Sequence, residues 1–129
     1  MKLYTRRGDQ GSTDLFGGTS TSKDSLRVVA YGAVDELNSC IGLAASACED
    51  MQLSAIMRQI QSRLFEVGAD LATPGSQPDR QSVQERIPRV EPQQIQEVEQ
   101  HIDALCNSLA PIRSFILPGG SELASRLHL

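Results

Sequence analysis

Tryptophan is absent from this chain, and aromatic residues make up only 4% of its 129 positions. A β-sandwich leans on aromatic and β-branched side chains. A core left to Leu, Ile, Val, Ala and Met points instead to packed helices. Cysteine is equally scarce. Cys40, Cys48 and Cys106 form no CxxC pair and are too few for a disulfide framework, so they read as small apolar residues of a reducing compartment and no zinc or other metal site is expected. No apolar run reaches the length of a membrane span. The N-terminus has no hydrophobic signal core, which leads to the expectation of a cytoplasmic protein without membrane contact. Basic character is lacking overall: the net charge is −4 and the pI about 5.1. Nonspecific nucleic-acid binding, which needs a dominant basic patch, is therefore not expected.

What is present divides into an arm and a set of stripes, read together as a single domain over 1–129 with the arm at 1–25 and a helical bundle at 26–129. Leu26, Ala30, Val34, Leu37, Ile41, Ala44, Ala45 and Cys48 follow a three-four spacing, as does the cleaner series Leu53, Ile56, Met57, Ile60, Leu64, Val67 and Leu71. Each predicts an amphipathic helix. Glu49 and Asp50 separate them, and Gly32 and Gly42 mark a close helix approach. Thr73, Pro74 and Gly75 stop the second helix. Residues 76–90 are polar, aperiodic and read as a mobile loop. Pro92 suits the first turn of a third helix, whose stripe runs Ile95, Val98, Ile102, Leu105 and Leu109 to a stop at Ala110 and Pro111. His101 is expected to be exposed. Ser121 is a candidate N-cap for a last helix carrying Leu123 and Leu127. That helix would be roughly 13 Å long at Leu129, against about 30 Å for each of the first two. A stub of that length cannot cover three apolar stripes. The expectation is that the helix continues past Leu129, or that a neighbouring subunit fills the gap.

The first twenty-three residues carry four glycines, three cations ahead of Lys23 and a Ser/Thr run, with no helical period. Such a segment builds no core. It can wrap a polyphosphate, because glycines let backbone N–H groups turn toward an anion while Lys and Arg bring charge. A glycine-rich terminus is also commonly just disordered. Phe115 reads, from its position before a helix, as a core aromatic. Asp35 reads as a solvated helix carboxylate.

Three blocks carry a resemblance. Thr5-Arg6-Arg7-Gly8-Asp9-Gln10-Gly11-Ser12-Thr13, extended by Phe16-Gly17-Gly18 and Lys23-Asp24, is the first. The run from Ala30 through Asp35 to Ser39 is the second. The third is Phe115-Ile116-Leu117-Pro118-Gly119-Gly120 with Leu127-His128. Together, in this order, they resemble the PduO-type ATP:cob(I)alamin adenosyltransferases. The resemblance implies an all-α, ferritin-like up-down bundle of five helices, truncated here in its last helix, that assembles as a homotrimer with sites between subunits. The implied reaction moves the 5′-deoxyadenosyl group of ATP, with Mg²⁺, onto the substrate cob(I)alamin and releases triphosphate. A cobalamin reductase and B12-dependent enzymes are the implied partners.

By the same resemblance Thr5, Arg6, Arg7, Gly8, Gly11, Thr13, Asp14 and Lys23 bind the nucleotide. Cations and N–H donors belong around a leaving triphosphate, whereas Asp9 would repel it and is expected to fix the loop. Arg6-Arg7 stands where the family pattern has Lys-Thr or Arg-Thr. Phe115 is implied to occupy the space below the corrin, and Asp35 to pair with an arginine of an adjacent subunit's last helix. Because that arginine-rich helix would follow Leu129, the chain as given is expected to be weakly active or inactive. A non-catalytic ATP- and cobalamin-binding delivery protein on the same bundle, and a purely structural helical oligomer, are the competing readings.

Overall fold

The computed structural model describes residues 4–75 and 87–129. Two short strands, β1 (Ser12–Asp14) and β2 (Ser20–Ser22), precede α1 (Leu26–Ala45), α2 (Met51–Leu71), α3 (Pro92–Cys106) and α4 (Glu122–Leu127). The strands pair antiparallel, with Thr13 opposite Thr21. The chain turns between them through Gly17 and Gly18, at φ 93° and 79°, which glycine adopts without steric cost. The arm is therefore a hairpin, which its composition did not indicate; the remainder is helical as expected.

α1 and α2 run antiparallel: Arg27 meets the backbone at Leu71 and Thr73, and Asn38 meets Gln61. The stripes predicted from spacing face each other only in part: Ala44 and Met57 are buried, but Leu26 and Leu37 of the α1 stripe are exposed, at 88% and 49%. Their contact is also interlocked by polar groups. Asn38, 5% exposed, donates from Nδ2 to the Gln61 carbonyl at 3.3 Å, and Gln61 Nε2 donates back to the Asn38 carbonyl at 3.1 Å. A Cβ on Gly42 would lie 2.9 Å from that Nε2, so the expected close approach at Gly42 is a helix-to-side-chain contact. Nothing crowds Gly32.

Local chemistry sets the ends. Asp50 caps α2 by accepting from the N–H groups of Gln52 and Leu53 at 2.8 and 2.9 Å, satisfying two of the orphan donors of the first turn. Pro92 opens α3, and the Glu91 N–H donates to Gln94 Oε1 at 2.8 Å. Ser121 Oγ accepts from Ala124 N–H at 3.1 Å, the cap expected there. Two helices are shorter than their apolar stripes. α1 stops at Ala45 because Ser46 Oγ bonds back to Leu43 O and the next N–H groups tighten to Ala44 and Ala45 carbonyls. α3 stops at Cys106 rather than Leu109, with Ser108 Oγ on Leu105 O. In both cases a serine side chain competes for a helix carbonyl.

α3 lies antiparallel on α2 through a polar seam. Arg63 bridges Glu66 and Glu97, at 3.1 and 3.0 Å. These pairs are partly exposed and contribute little. His101 joins this seam through Gln59 at 3.1 Å instead of standing fully exposed. Residues 76–86 of the expected loop lie outside the described residues; beyond them, Arg89 pairs with Asp70 of α2. α4 docks on the C-terminal end of α1, where Arg126 Nη1 donates to Leu43 O at 2.6 Å and Ser46 Oγ at 2.7 Å. Cys40 and Cys48 are partly buried, but Cys106 is exposed and is no core residue. Among the described residues no helix is long and apolar enough to cross a membrane.

Candidate functional site

The hairpin brings distant members of the arm together. The Lys23 N–H donates to the Gly11 carbonyl at 2.9 Å, and the Gly11 N–H donates to Gly8 O at 3.2 Å. Lys23 thereby lies across the Gly8 turn. A Cβ on Gly8 would stand 3.0 Å from Lys23 Nζ, 3.1 Å from its Cε and 3.2 Å from the Ser12 carbonyl oxygen. Only a residue without a side chain lets the ammonium settle on this backbone. Gly11 shapes the turn, since its own N–H and carbonyl are both used inside it. Thr13 and Asp14 follow directly on β1.

Thr5, Arg6 and Arg7 precede the turn on exposed backbone. The Arg6 carbonyl accepts from the Asp9 N–H at 3.4 Å, so Asp9 helps to close the turn, as expected, through its backbone. Arg6 has φ 62°, a left-handed conformation uncommon outside glycine. Its guanidinium lies 5.2 Å from the centre of the Tyr4 ring, within cation–π range. The arm thus gathers three cations, with Lys23 seated over Gly8 and the two arginines exposed beside the turn. That distribution suits a multiply charged anion.

A second feature lies between α1 and α2. Tyr31, Asp35 and Asn38 on one side, and Phe65, Gly68 and Ala72 on the other, line an open cleft of about 450 Å³. Phe65 is 69% exposed, and Asn38 Oδ1 is buried without a hydrogen-bond partner. The Asp35 side chain is exposed and makes no ion pair among the described residues. A solvated carboxylate describes it within one chain, but its place in an aromatic-walled cleft does not follow from sequence spacing. Tyr31, Asn38 and Phe65 were not singled out beforehand. Asn38 left one signal, a polar side chain on the face of α1 that packs against α2.

Phe115 lies in neither group. It sits between α3 and α4 with its ring fully exposed at 107%, followed by Ile116 at 63% and Leu117 at 88%. The core-aromatic reading is therefore incorrect for this chain, because no described residue covers the ring. Among the described residues no group of three or more His, Cys, Asp or Glu side chains could hold a metal ion. Mg²⁺ would have to arrive with an anionic ligand's own oxygens and keep several waters.

The comparisons with known proteins agree with one another. The family model described as cobalamin adenosyltransferase matches residues 3–129. The chain is 42% identical over 128 residues to the corrinoid adenosyltransferase PduO of Citrobacter freundii, covering 99% of this chain and 37% of that protein. It is 43% identical over 133 residues to the corrinoid adenosyltransferase of Bacillus subtilis, covering 100% of this chain and 64% of that protein. It thus spans between about a third and two thirds of these curated relatives. Its fold is similar to a variant PduO-type ATP:corrinoid adenosyltransferase from Lactobacillus reuteri, solved with cobalamin and ATP. The TM-score is 0.87 at 38% identity, covering 98% of this chain and 68% of that one.

Proposed function

The chain belongs to the cobalamin adenosyltransferase family, and from that premise we propose that it transfers the 5′-deoxyadenosyl group of ATP to cob(I)alamin, releasing triphosphate. The observation that carries this reading is the seat of Lys23 over Gly8. A leaving triphosphate needs positive charge fixed in advance around it. Lys23 supplies an ammonium lying against the Gly8 turn, and Arg6 and Arg7 supply guanidinium groups from the adjoining backbone. Thr5 and Thr13 add hydroxyl donors, and Gly8 leaves room for the Lys23 ammonium to lie against the turn. Asp14 is assigned to the nucleotide's sugar or bound Mg²⁺ rather than to phosphate, which its charge would repel. Gly11 acts by shaping the turn.

Phe115 is assigned to the corrinoid, and Asp35 to an arginine of a neighbouring copy. An uncovered phenyl ring offers no ligand to cobalt, but it can displace an axial base and exclude water. Asp35 is placed to meet a cation from outside its own chain. Among the described residues neither has a counterpart, which supports a site completed by a neighbouring copy, and a homotrimer is the proposed assembly. Sedimentation of the purified chain as a compact monomer would count against it. The proposed setting is the cytoplasm, with a cobalamin reductase upstream and adenosylcobalamin-dependent enzymes downstream.

The decisive experiment supplies ATP and chemically reduced cobalamin, then measures adenosylcobalamin and triphosphate. Equal formation of both is expected. Binding of both ligands without triphosphate would favour the delivery reading.

A further inference from the structure

The C-terminal end of α2 is an unusual helix stop. The last carbonyls of a helix lose their intrahelical donors, and many helices recover them through a left-handed glycine just past the end. Here the residue after α2 is Ala72, at φ −73° and ψ −8°, which cannot provide that motif. The carbonyls are satisfied one by one instead. Gly68 O accepts from the Ala72 N–H at 2.9 Å, Asp70 O from the Thr73 N–H at 3.1 Å, and Ala69 O from Thr73 Oγ1 at 2.7 Å. The remaining three are reached from outside the helix. Leu71 O and Thr73 O both accept from Arg27 Nη1, at 2.5 and 3.4 Å. Ala72 O accepts from the Phe16 N–H at 3.0 Å.

Phe16 sits at the tip of the hairpin, where the Leu15 N–H bonds Thr19 O and the Gly18 N–H bonds Leu15 O. The tip of the hairpin is thus joined to the end of α2 by a backbone bond to Ala72 O, which lies between two carbonyls that Arg27 holds. Resting on the nucleotide reading above, we infer that Arg27 is a positioning residue for the nucleotide arm. It fixes the end of α2 so that Ala72 O stays aimed at Phe16, and it touches no substrate. A cation at a helix C-terminus is favourable in itself, so charge alone would stabilise α2. Orientation of the Ala72 carbonyl needs the two neighbouring carbonyls to be held. Thr73 is 2% exposed and the bond to its carbonyl is partly buried, whereas the bond to Leu71 O is exposed.

The test uses the full chain, with hydrogen exchange at the Phe16 amide and ATP affinity measured without cobalamin. In Arg27→Ala the Phe16 amide is expected to exchange at least tenfold faster, and ATP affinity to fall about tenfold, while helix content is retained. Arg27→Lys keeps the charge and is expected to restore the melting temperature but only part of the affinity. Wild-type exchange and affinity in a folded Arg27→Ala would overturn the inference and leave the nucleotide reading intact. Failure of the wild-type chain to bind ATP would sink both. Should Arg27→Ala not fold, Arg27→Lys decides: unchanged Phe16 exchange and affinity would make Arg27 a helix cap only.

Discussion

Two irregular segments carry the residues of the candidate site, and they are held very differently. The arm, from Tyr4 to Ser25, is crossed by backbone bonds: Asp9 to Arg6, Gly11 to Gly8, Lys23 to Gly11 and Phe16 to Ala72. The segment between α3 and α4 leaves Phe115, Ile116 and Leu117 bare. The first therefore presents a shaped surface within one chain. The second presents apolar area, which monomers seldom expose contiguously unless something binds there. The arm's cations and turn all lie in a single copy, while no described residue covers the apolar segment.

Substitutions can break or sharpen this contrast, beginning with the largest effect. Lys23→Ala removes the ammonium seated in the arm and should weaken ATP binding roughly ten- to a hundredfold, the scale of one charge-assisted hydrogen bond. Isothermal calorimetry measures this, and an unchanged Kd would remove the arm from the site. Gly8→Ala puts a methyl group 3.0 Å from Lys23 Nζ. The flexible lysine end should yield, but the Ser12 carbonyl at 3.2 Å gives only by a backbone shift, so ATP affinity is expected to fall about tenfold with a small drop in the thermal midpoint. Gln61→Ala removes one of the two bonds of the Asn38 interlock, the Nε2 donation to the Asn38 carbonyl, and keeps the Asn38 Nδ2 bond to the backbone at position 61. It should cost about 1 kcal/mol of stability and leave ATP affinity unaltered. Phe115→Ala should hardly move the melting temperature, by about 2 °C at most, since surface changes are nearly neutral. It should nevertheless slow corrinoid adenosylation, and loss of stability without loss of rate would reverse the contrast.

The helices were legible in the sequence because burial leaves a period. The stripes of α1 and α2 mark, in part, the faces that meet, and Asp50, Pro92 and Ser121 mark starts through groups acting over a few residues. Stripes overstate length, however, since Cys48 and Leu109 keep the period after Ser46 and Ser108 have ended the helices. The hairpin left no such trace: its strands are three residues each, all hydroxyl or carboxylate side chains without alternation. Long-range side-chain bonds to carbonyls, such as Arg27 on Leu71, leave no pattern either, and neither does the cleft that Asp35 shares with Phe65. The residues proposed to face the nucleotide could be named from the glycine and cation content of the arm together with family resemblance. The approach of Lys23 to Gly8 required the fold.

The winding at Arg6 has a thermodynamic sign. A residue with a Cβ loses about 1–2 kcal/mol by adopting that left-handed shape, and glycine would lose nothing, yet glycine has no guanidinium to offer. The turn's own backbone bond, from the Asp9 N–H to the Arg6 carbonyl, holds the distortion, so its cost falls on folding. A ligand arriving at the arm need not supply that work again, and its grip is stronger by as much.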